Sequence, residues 1–343
     1  MATPYTDWRA LTGAPRSPFF HGTAADVAAD RARHSPGVTA PLTPNDEALF
    51  TQSNARVLLG HAANGSLRFI ALPTQVYPAP TGTGEFGLGP GMYHHFDVAM
   101  YAGNLSYRLE LEGQAEPLVV SSWEAPLTGL PCETVYAGDF LPLTTAQAGD
   151  LVVALVSFAP VAPDAAPAAL SPAPLPGPAG AFYVLHLHNT GDTPVAGKVV
   201  LQAGDLLVGH YEDAAMRAGA DEALREVKAP EIDLRQHTII LTRPCGAVGI
   251  HLHDGRWRKI TAPFEAEIAF SLAPGEARAF ETHIALGATY ADVMPTLYAL
   301  HLRPALDWLN LTASFWRERL GALTAGIQGA EDEARYSRDV YVR

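Results

Sequence analysis

Two His-x-His pairs, His186/His188 and His251/His253, are the residues of this chain whose type and spacing most directly suggest chemistry. Side chains alternate along a β-strand, so both rings of a pair stand on one face and could share a metal ion. The neighbours Leu185, Leu187, Ile250 and Leu252 are apolar and claim the core-facing positions, which predicts the histidines on the outward, wet face. No carboxylate at short spacing completes a cupin-like ligand set. The expectation is therefore solvated strand histidines, with no metal ligands and no cofactor; a metal-dependent enzyme built on the pairs is an alternative.

The loop Thr81–His95, TGTGEFGLGPGMYHH, carries five glycines. Such a loop could cradle phosphate on its backbone N–H groups. However, no Gly-Lys-Ser/Thr follows, and the next segment, Phe96 to Tyr101, has the pattern of a strand rather than a helix. Its end reads better as a loop that brings Tyr93, His94 and His95 to a ligand. Trp123 and Trp257 lie near turns, and a flat aromatic ring can cover the apolar face of a pyranose. These five side chains are the candidate carbohydrate contacts, the competing role for each being loop or rim packing. No Gly-x-Ser-x-Gly elbow is present, and neither Cys132 nor Cys245 has a base in a recognisable context, so nucleophilic triads are unsupported. Glycoside hydrolysis requires two carboxyl groups about 5 to 5.5 Å apart for retention or about 6.5 to 9.5 Å for inversion, and no such pair can be picked out along the chain.

The elements that must carry these residues are mostly strands. Leu151–Phe158 is an apolar run of strand length, and Ala181–His188 is a second. Seven prolines between Pro160 and Pro178 forbid helix or central strand in the connection, which must run over the surface. The two strands are then neighbours in one sheet or partners across a sandwich. Asn189-Thr190-Gly191-Asp192 supplies turn residues, and Val195–Leu201 reads as a third strand on a hairpin. Short runs at Arg56–Leu59, Leu67–Leu72, Leu105–Leu111 and Leu118–Trp123 precede this stretch, with hairpin turns expected at Asn64-Gly65 and Gly103-Asn104. Thr238–Thr242, Ala247–His253, Phe264–Leu272 and Ala277–Leu286 follow it, the last two joined by a Pro-Gly turn. About thirteen strands with almost no helix between them predict a mainly β fold, a large antiparallel β-sandwich.

After Gly287 the period lengthens. Leu302, Leu306, Leu309, Ala313, Trp316, Leu320 and Leu323 form one helical stripe that begins at Pro304, and it packs either on its own sandwich or on a partner. The expected organisation is a wrapping segment at 1–50, the sandwich at 51–287 and a helical linker at 288–343. A formal charge of -13 with 23 scattered Lys and Arg argues against nucleic acid, and no apolar stretch is long enough to span a bilayer. Met1–Ala10 lacks a signal-peptide pattern and two cysteines cannot make a disulfide framework, which points to a cytoplasmic chain.

Three segments carry a family resemblance. Tyr136-Ala137-Gly138-Asp139-Phe140-Leu141-Pro142, Leu151–Pro163 and Ala181–Pro194 resemble the amino-terminal β-sandwich, a supersandwich, of β-glucosidases of the non-lysosomal glucosylceramidase type. Phe315-Trp316-Arg317-Glu318-Arg319-Leu320 is similar to that family's linker helix. The resemblance implies a sandwich that supports a catalytic (α/α)6 barrel, with both catalytic carboxylates on the barrel and a carbohydrate as ligand. Tyr336–Arg343 falls about where the first barrel helix would begin, so the barrel is expected on another chain or lost by truncation, and no catalytic residue is assigned within this sequence. The Gly-rich opening of Thr81–Gly91 departs from the family pattern. A free-standing carbohydrate-binding module is the other alternative.

Overall fold

The computed structural model describes residues 5–14, 16–21, 50–54, 56–62, 64–73, 98–102, 105–121, 130–138, 140–161, 177–204, 231–235, 237–243, 246–287 and 289–322. Two nine-stranded antiparallel sheets lie face to face. The first has the order β1 (Arg16–His21), β8 (Cys132–Ala137), β9 (Leu141–Ala148), β10 (Leu151–Phe158), β11 (Gly180–Asn189), β18 (Ala277–Gly287), β15 (Gly246–Leu252), β14 (Thr238–Arg243) and β13 (Glu231–Arg235). The second runs β16 (Arg256–Lys259), β17 (Phe264–Leu272), β12 (Val195–Ala203), β6 (Leu105–Leu111), β4 (Leu67–Pro73), β3 (Leu58–His61) and β2 (Phe50–Ser53). In it, β5 (Val98–Ala102) pairs with β4 and β7 (Leu118–Val119) with β6. This is the β-sandwich that the strand spacing predicts.

Alternation builds the core. Tyr183, Leu185 and Leu187 of β11 and Val248, Ile250 and Leu252 of β15 turn inward to meet Leu105, Tyr107 and Leu109 of β6, Val199 and Leu201 of β12 and Ile268 and Phe270 of β17. Each such side chain contributes about 1.5–3 kcal/mol when fully buried. Two tyrosines cross the gap with their polar ends satisfied. Tyr107 and Tyr183 stack at 4.8 Å. The Tyr107 hydroxyl lies 2.6 Å from Thr282 Oγ1 and donates to the Tyr183 carbonyl, while the Tyr183 hydroxyl donates to the Gly65 carbonyl. Gly65 itself sits at φ 79° in the turn between β3 and β4, the hairpin expected at Asn64-Gly65.

One expected hairpin is corrected. β11 pairs with β10 and β18 in the first sheet, but β12 pairs with β17 and β6 in the second, so Asn189–Asp192 is a crossing between sheets. The expected Pro-Gly turn at Ala273–Glu276 is present, the Glu276 N–H donating to the Ala273 carbonyl at 3.0 Å, and it too crosses between sheets, from β17 to β18. The physical reason is that turn residues suit a hairpin or an arch equally; the inward-facing residues of both strands decide, since here they oppose each other across the core. Gly103 and Asn104, where another hairpin turn is expected, lie outside the described residues, and among the described residues β5 and β6 do not pair with each other. Both pair with β4 in one register, Ile70 opposite Ala102 and Leu67 opposite Leu105. The placement of β10 beside β11 does follow the expectation, with Leu151 opposite Asn189 and Phe158 opposite Phe182.

Among the described residues three helices cover the outer face of the first sheet: α1 (Arg9–Thr12), α2 (Tyr290–His301) and α3 (Ala305–Ala322). Leu309, Ala313 and Trp316 of α3 pack with Trp8 and Leu11 against Val156, Phe158, Phe182 and Val184, so this part of the stripe rests on its own sandwich. Leu302 does not join it; it lies in the turn between the helices at 63% exposure. The side chains of Leu320 and Leu323, and all of 323–343, lie outside the described residues. α2 is an addition to the expected elements. Its first turn is fixed by the Thr289 N–H, which donates to the Asp292 carboxylate at 2.9 Å. Among the described residues no helix is long and apolar enough to cross a membrane.

Candidate functional site

The outward positions of β15 and β18 set up the main cluster of reactive side chains. Gly249 and His251 face out from β15, Glu281 and His283 from β18, and the register places His251 directly opposite His283. Beyond Leu252 the chain turns at Asp254, with φ 59°, and the His253 N–H donates to the Glu281 carbonyl at 2.9 Å. α2 then lays its carboxyl-terminal end over the strands. It comes this close because Gly249 and Gly180 lie beneath it: a Cβ at Gly249 would stand 2.5 Å from Val293 Cγ1, and one at Gly180 would stand 3.0 Å from Leu300 Cδ1. His301, the last residue of α2, therefore arrives beside the strand histidines. Its ring centroid lies 5.4 Å from those of His251 and His253 and 5.8 Å from that of His283.

This overturns the wet-face expectation for the strand histidines. They do point outward, but the helices cover that face, so His186 is buried, His251 is half-buried, and His253 keeps a 46% exposed side chain only because it lies in the turn. Burial, followed by the neighbouring His283 and His301, pushes His251 down to about 3. His283 is also held below the ordinary imidazole range by burial, although the Glu281 carboxylate, 3.5 Å away, opposes this. Glu281 is shared, because the same carboxylate accepts the Ala305 N–H at the start of α3. Thr238 Oγ1 lies 3.0 Å from His251 Nδ1, while His251 Nε2 and both nitrogens of His283 are buried with no hydrogen-bond partner. His251 and His283 are thus held as neutral imidazoles, chemically acceptors or ligands. His251, His253 and His301 can each offer one ligand atom, all lying within 4.8 Å of one another.

The second His-x-His pair has a different setting. His186 lines a cleft of about 280 Å³ with Asp7, Trp8, Arg9 and Arg278, formed where α1 crosses the sheet. Burial, reinforced by His188, pushes it down to about 4.

Carboxylates gather on the outer face of the second sheet. Glu110, Glu265 and Glu267 are bound by Arg108, Arg256, Arg258 and Lys198. Hydrogen bonding from Arg256 holds Glu267 down to about 2. Arg258 is the main influence lowering Glu110, whereas at Glu265 burial works upward and is outweighed by Arg108 and Arg258. A general acid for glycoside cleavage must hold its proton near neutral pH, and these three are set for the opposite.

Of the five side chains expected to contact sugar, Tyr93, His94, His95 and Trp123 lie outside the described residues. Trp257 lies on the edge strand β16, partly buried against the inter-sheet core, with its indole N–H donating to the His237 carbonyl at 3.1 Å. His283 and His301 are the site residues that sequence reasoning missed. The outward phase of β18 could have marked His283, but His301 depends on where a helix ends, which no local pattern announces.

No family model matches the chain, and no curated protein matches it in sequence. Among solved structures, one assigned as a kojibiose phosphorylase from the human microbiome aligns over 87% of this chain and 40% of its own, with 8% identity and a TM-score of 0.48. A bacterial glucoamylase complexed with acarbose aligns over 88% and 41%, with 8% identity and a TM-score of 0.49. One assigned as an aldose 1-epimerase, from Escherichia coli K12, aligns over 70% and 99%, with 10% identity and a TM-score of 0.36. The chain spans about two fifths of the length of the first two, 40% and 41%.

Proposed function

We propose that this chain is the non-catalytic sandwich-and-linker part of a β-glucosidase-like carbohydrate-active enzyme, supporting a catalytic (α/α)6 barrel supplied elsewhere. One observation carries the proposal. The segments that resemble the glucosylceramidase-type sandwich, within residues 132–194, form the contiguous strands β8 to β11, and the linker-like segment beginning Phe315-Trp316 lies in α3, whose Trp316 packs on those same strands. Sequence features separated by more than a hundred residues thus map onto one structural unit. The Arg-bound carboxylates of the second sheet agree with catalysis being performed by another part of the assembly. The barrel's proposed seat is the α2–α3 corner, where Tyr298 and Leu302 stand 68% and 63% exposed. Trp257, with Tyr93, His94, His95 and Trp123, remains the proposed carbohydrate contact.

The test is whether β-glucosidase activity travels with this chain in a native preparation. Activity is expected to co-elute with it at the mass of a sandwich plus a barrel, while the pure chain alone turns over no aryl β-glucoside. Turnover by the isolated chain that disappears on replacing one of its own carboxylates would overturn the proposal.

A further inference from the structure

We propose that His251, His253 and His301 form a binding site for one divalent transition-metal ion of the zinc class, which fastens the end of α2 to the end of β15. Three observations support it independently of the proposed function. The three rings come from two elements, a strand with its following turn and a helix terminus, yet one ligand atom of each lies within 4.8 Å of the others. His251 is already oriented: its Nδ1 lies against Thr238 Oγ1, which leaves the buried Nε2 without a partner as the atom able to bind. Beneath them lies His283, 2% exposed, whose Nδ1 is buried without a partner while its Nε2 faces the Glu281 carboxylate at 3.5 Å, and its centroid is 5.5 Å from that of His251. Buried polar atoms in folded proteins are overwhelmingly satisfied, so two such nitrogens in one cluster, His251 Nε2 and His283 Nδ1, point to a ligand that fills the space beside them.

The donor set selects the ion. Imidazole nitrogens suit zinc, copper, nickel or cobalt, whereas calcium and magnesium require oxygen ligands. Tetrahedral zinc with bonds of about 2.0–2.1 Å places its nitrogens about 3.4 Å apart, so the rings have to close by at most about 1.4 Å. The two that have to move can do so by side-chain rotation, since His253 lies in an exposed turn and His301 at an exposed helix end. A fourth position remains for water or for His283. The Thr238 hydroxyl fixes the ring orientation of His251, the usual task of a residue one bond removed from a metal.

The experiment uses the untagged full chain, stripped with chelator and titrated separately with Zn2+ and Co2+ by calorimetry and visible absorption. Expected are one ion per chain, the intense visible bands of four-coordinate cobalt, and a higher melting temperature with zinc. His253→Ala and His301→Ala change exposed side chains, so both should keep the metal-free denaturation midpoint. Each should weaken zinc binding by more than the about 10-fold typical of losing an outer-shell partner. Thr238→Val should weaken it about 10-fold with the ion count unchanged. His188→Ala, at the other pair, should leave binding intact. Absence of stoichiometric binding, or equal binding by a folded double variant lacking His253 and His301, would overturn the site.

Discussion

Replacing Asn189 by Ala removes a side chain that ties together the two crossings between the sheets. Its amide nitrogen donates to the carbonyls of Thr193 at 2.7 Å, Leu272 at 3.2 Å and Ala273 at 3.2 Å, and its oxygen accepts the Gly191 N–H at 3.1 Å. The amide has two hydrogens for three acceptors, so one hydrogen is shared. Thr193 and Ala273 are exposed, so water can replace the lost donor there, but Leu272 is fully buried and its carbonyl loses a partner that water cannot replace. Two or three net hydrogen bonds at about 1 kcal/mol each, with a partial desolvation penalty of about 1 kcal/mol, give a loss of about 3 kcal/mol. The backbone bonds from Asn189 N–H to the Glu276 carbonyl and from Gly275 N–H to the Asn189 carbonyl survive, so the crossings should loosen rather than come apart. Urea denaturation followed by tryptophan fluorescence should show the midpoint falling by about 1 M at unchanged slope. Thr190→Ala, which loses one exposed bond to the Asp150 carbonyl, is the control and should cost under about 0.5 kcal/mol. If Asn189→Ala proves as mild as the control, Asn189 does not hold the crossings.

Three further outcomes are expected. His61 and His186 are buried neutral, pushed down by burial to about 3 and about 4, whereas in the unfolded chain they protonate near 6.5. Their contribution is therefore complete above about pH 6.5 and is lost as pH falls toward the folded values, at about 2 kcal/mol each by pH 5. His61→Gln should flatten the stability profile between pH 7 and 5, and an unchanged slope would refute the assignment. Gly249→Val should destabilise by about 1–3 kcal/mol and displace α2, because its Cβ would meet Val293 Cγ1 at 2.5 Å and Leu297 Cδ1 at 2.8 Å; a wild-type melting temperature would exclude close seating of the helix. Glu267→Gln leaves Arg256, Arg258 and Lys198 facing one another, but their arms are 75%, 26% and 45% exposed, so the loss should be about 1 kcal/mol and shrink in high salt. A salt-independent loss would mean that packing, not charge, is being measured.

The fold class was legible because the strands keep a period of two and their ends carry turn residues. Which turns cross between sheets was not, since Asn189-Thr190-Gly191 and Pro274-Gly275 satisfy the same backbone demands in a hairpin and in an arch. The candidate histidine site was half legible. His251 and His253 stand out by spacing, whereas His301 lies nearly fifty residues further on and is brought back by α2. That helix was hidden because Pro295 interrupts its pattern and only three of its side chains, Val293, Leu297 and Leu300, are buried. The wet-face error has one cause: alternation tells which side of a strand faces the inter-sheet core, but not whether a helix covers the other side.

The strands themselves do hold that second piece of information, in a form that alternation alone misses. In β10 every residue of Leu151–Phe158 except Val152 is buried, and in β11 every residue but His188, whereas β17 exposes Ala269 and Ser271 on its outer side and keeps Glu265 and Glu267 there in ion pairs. A strand that is apolar on both faces must be covered on both. The unbroken runs at 151–158 and 181–187 thus mark the sheet on which α1, α2 and α3 lie, and the alternating charged strands mark the sheet without them. The same asymmetry bears on the proposed partner. Docking on the charged side would strip water from three carboxylates and four cations that are already ion-paired with one another, at a cost that new contacts would have to repay. Docking at the α2–α3 corner buries Tyr298 and Leu302, which stand exposed among the described residues, and continues the layer that α3 has already begun. The helical side is therefore where a barrel should sit, and protection of residues 298–302 from hydrogen exchange in the native assembly, absent in the lone chain, is the result that this placement requires.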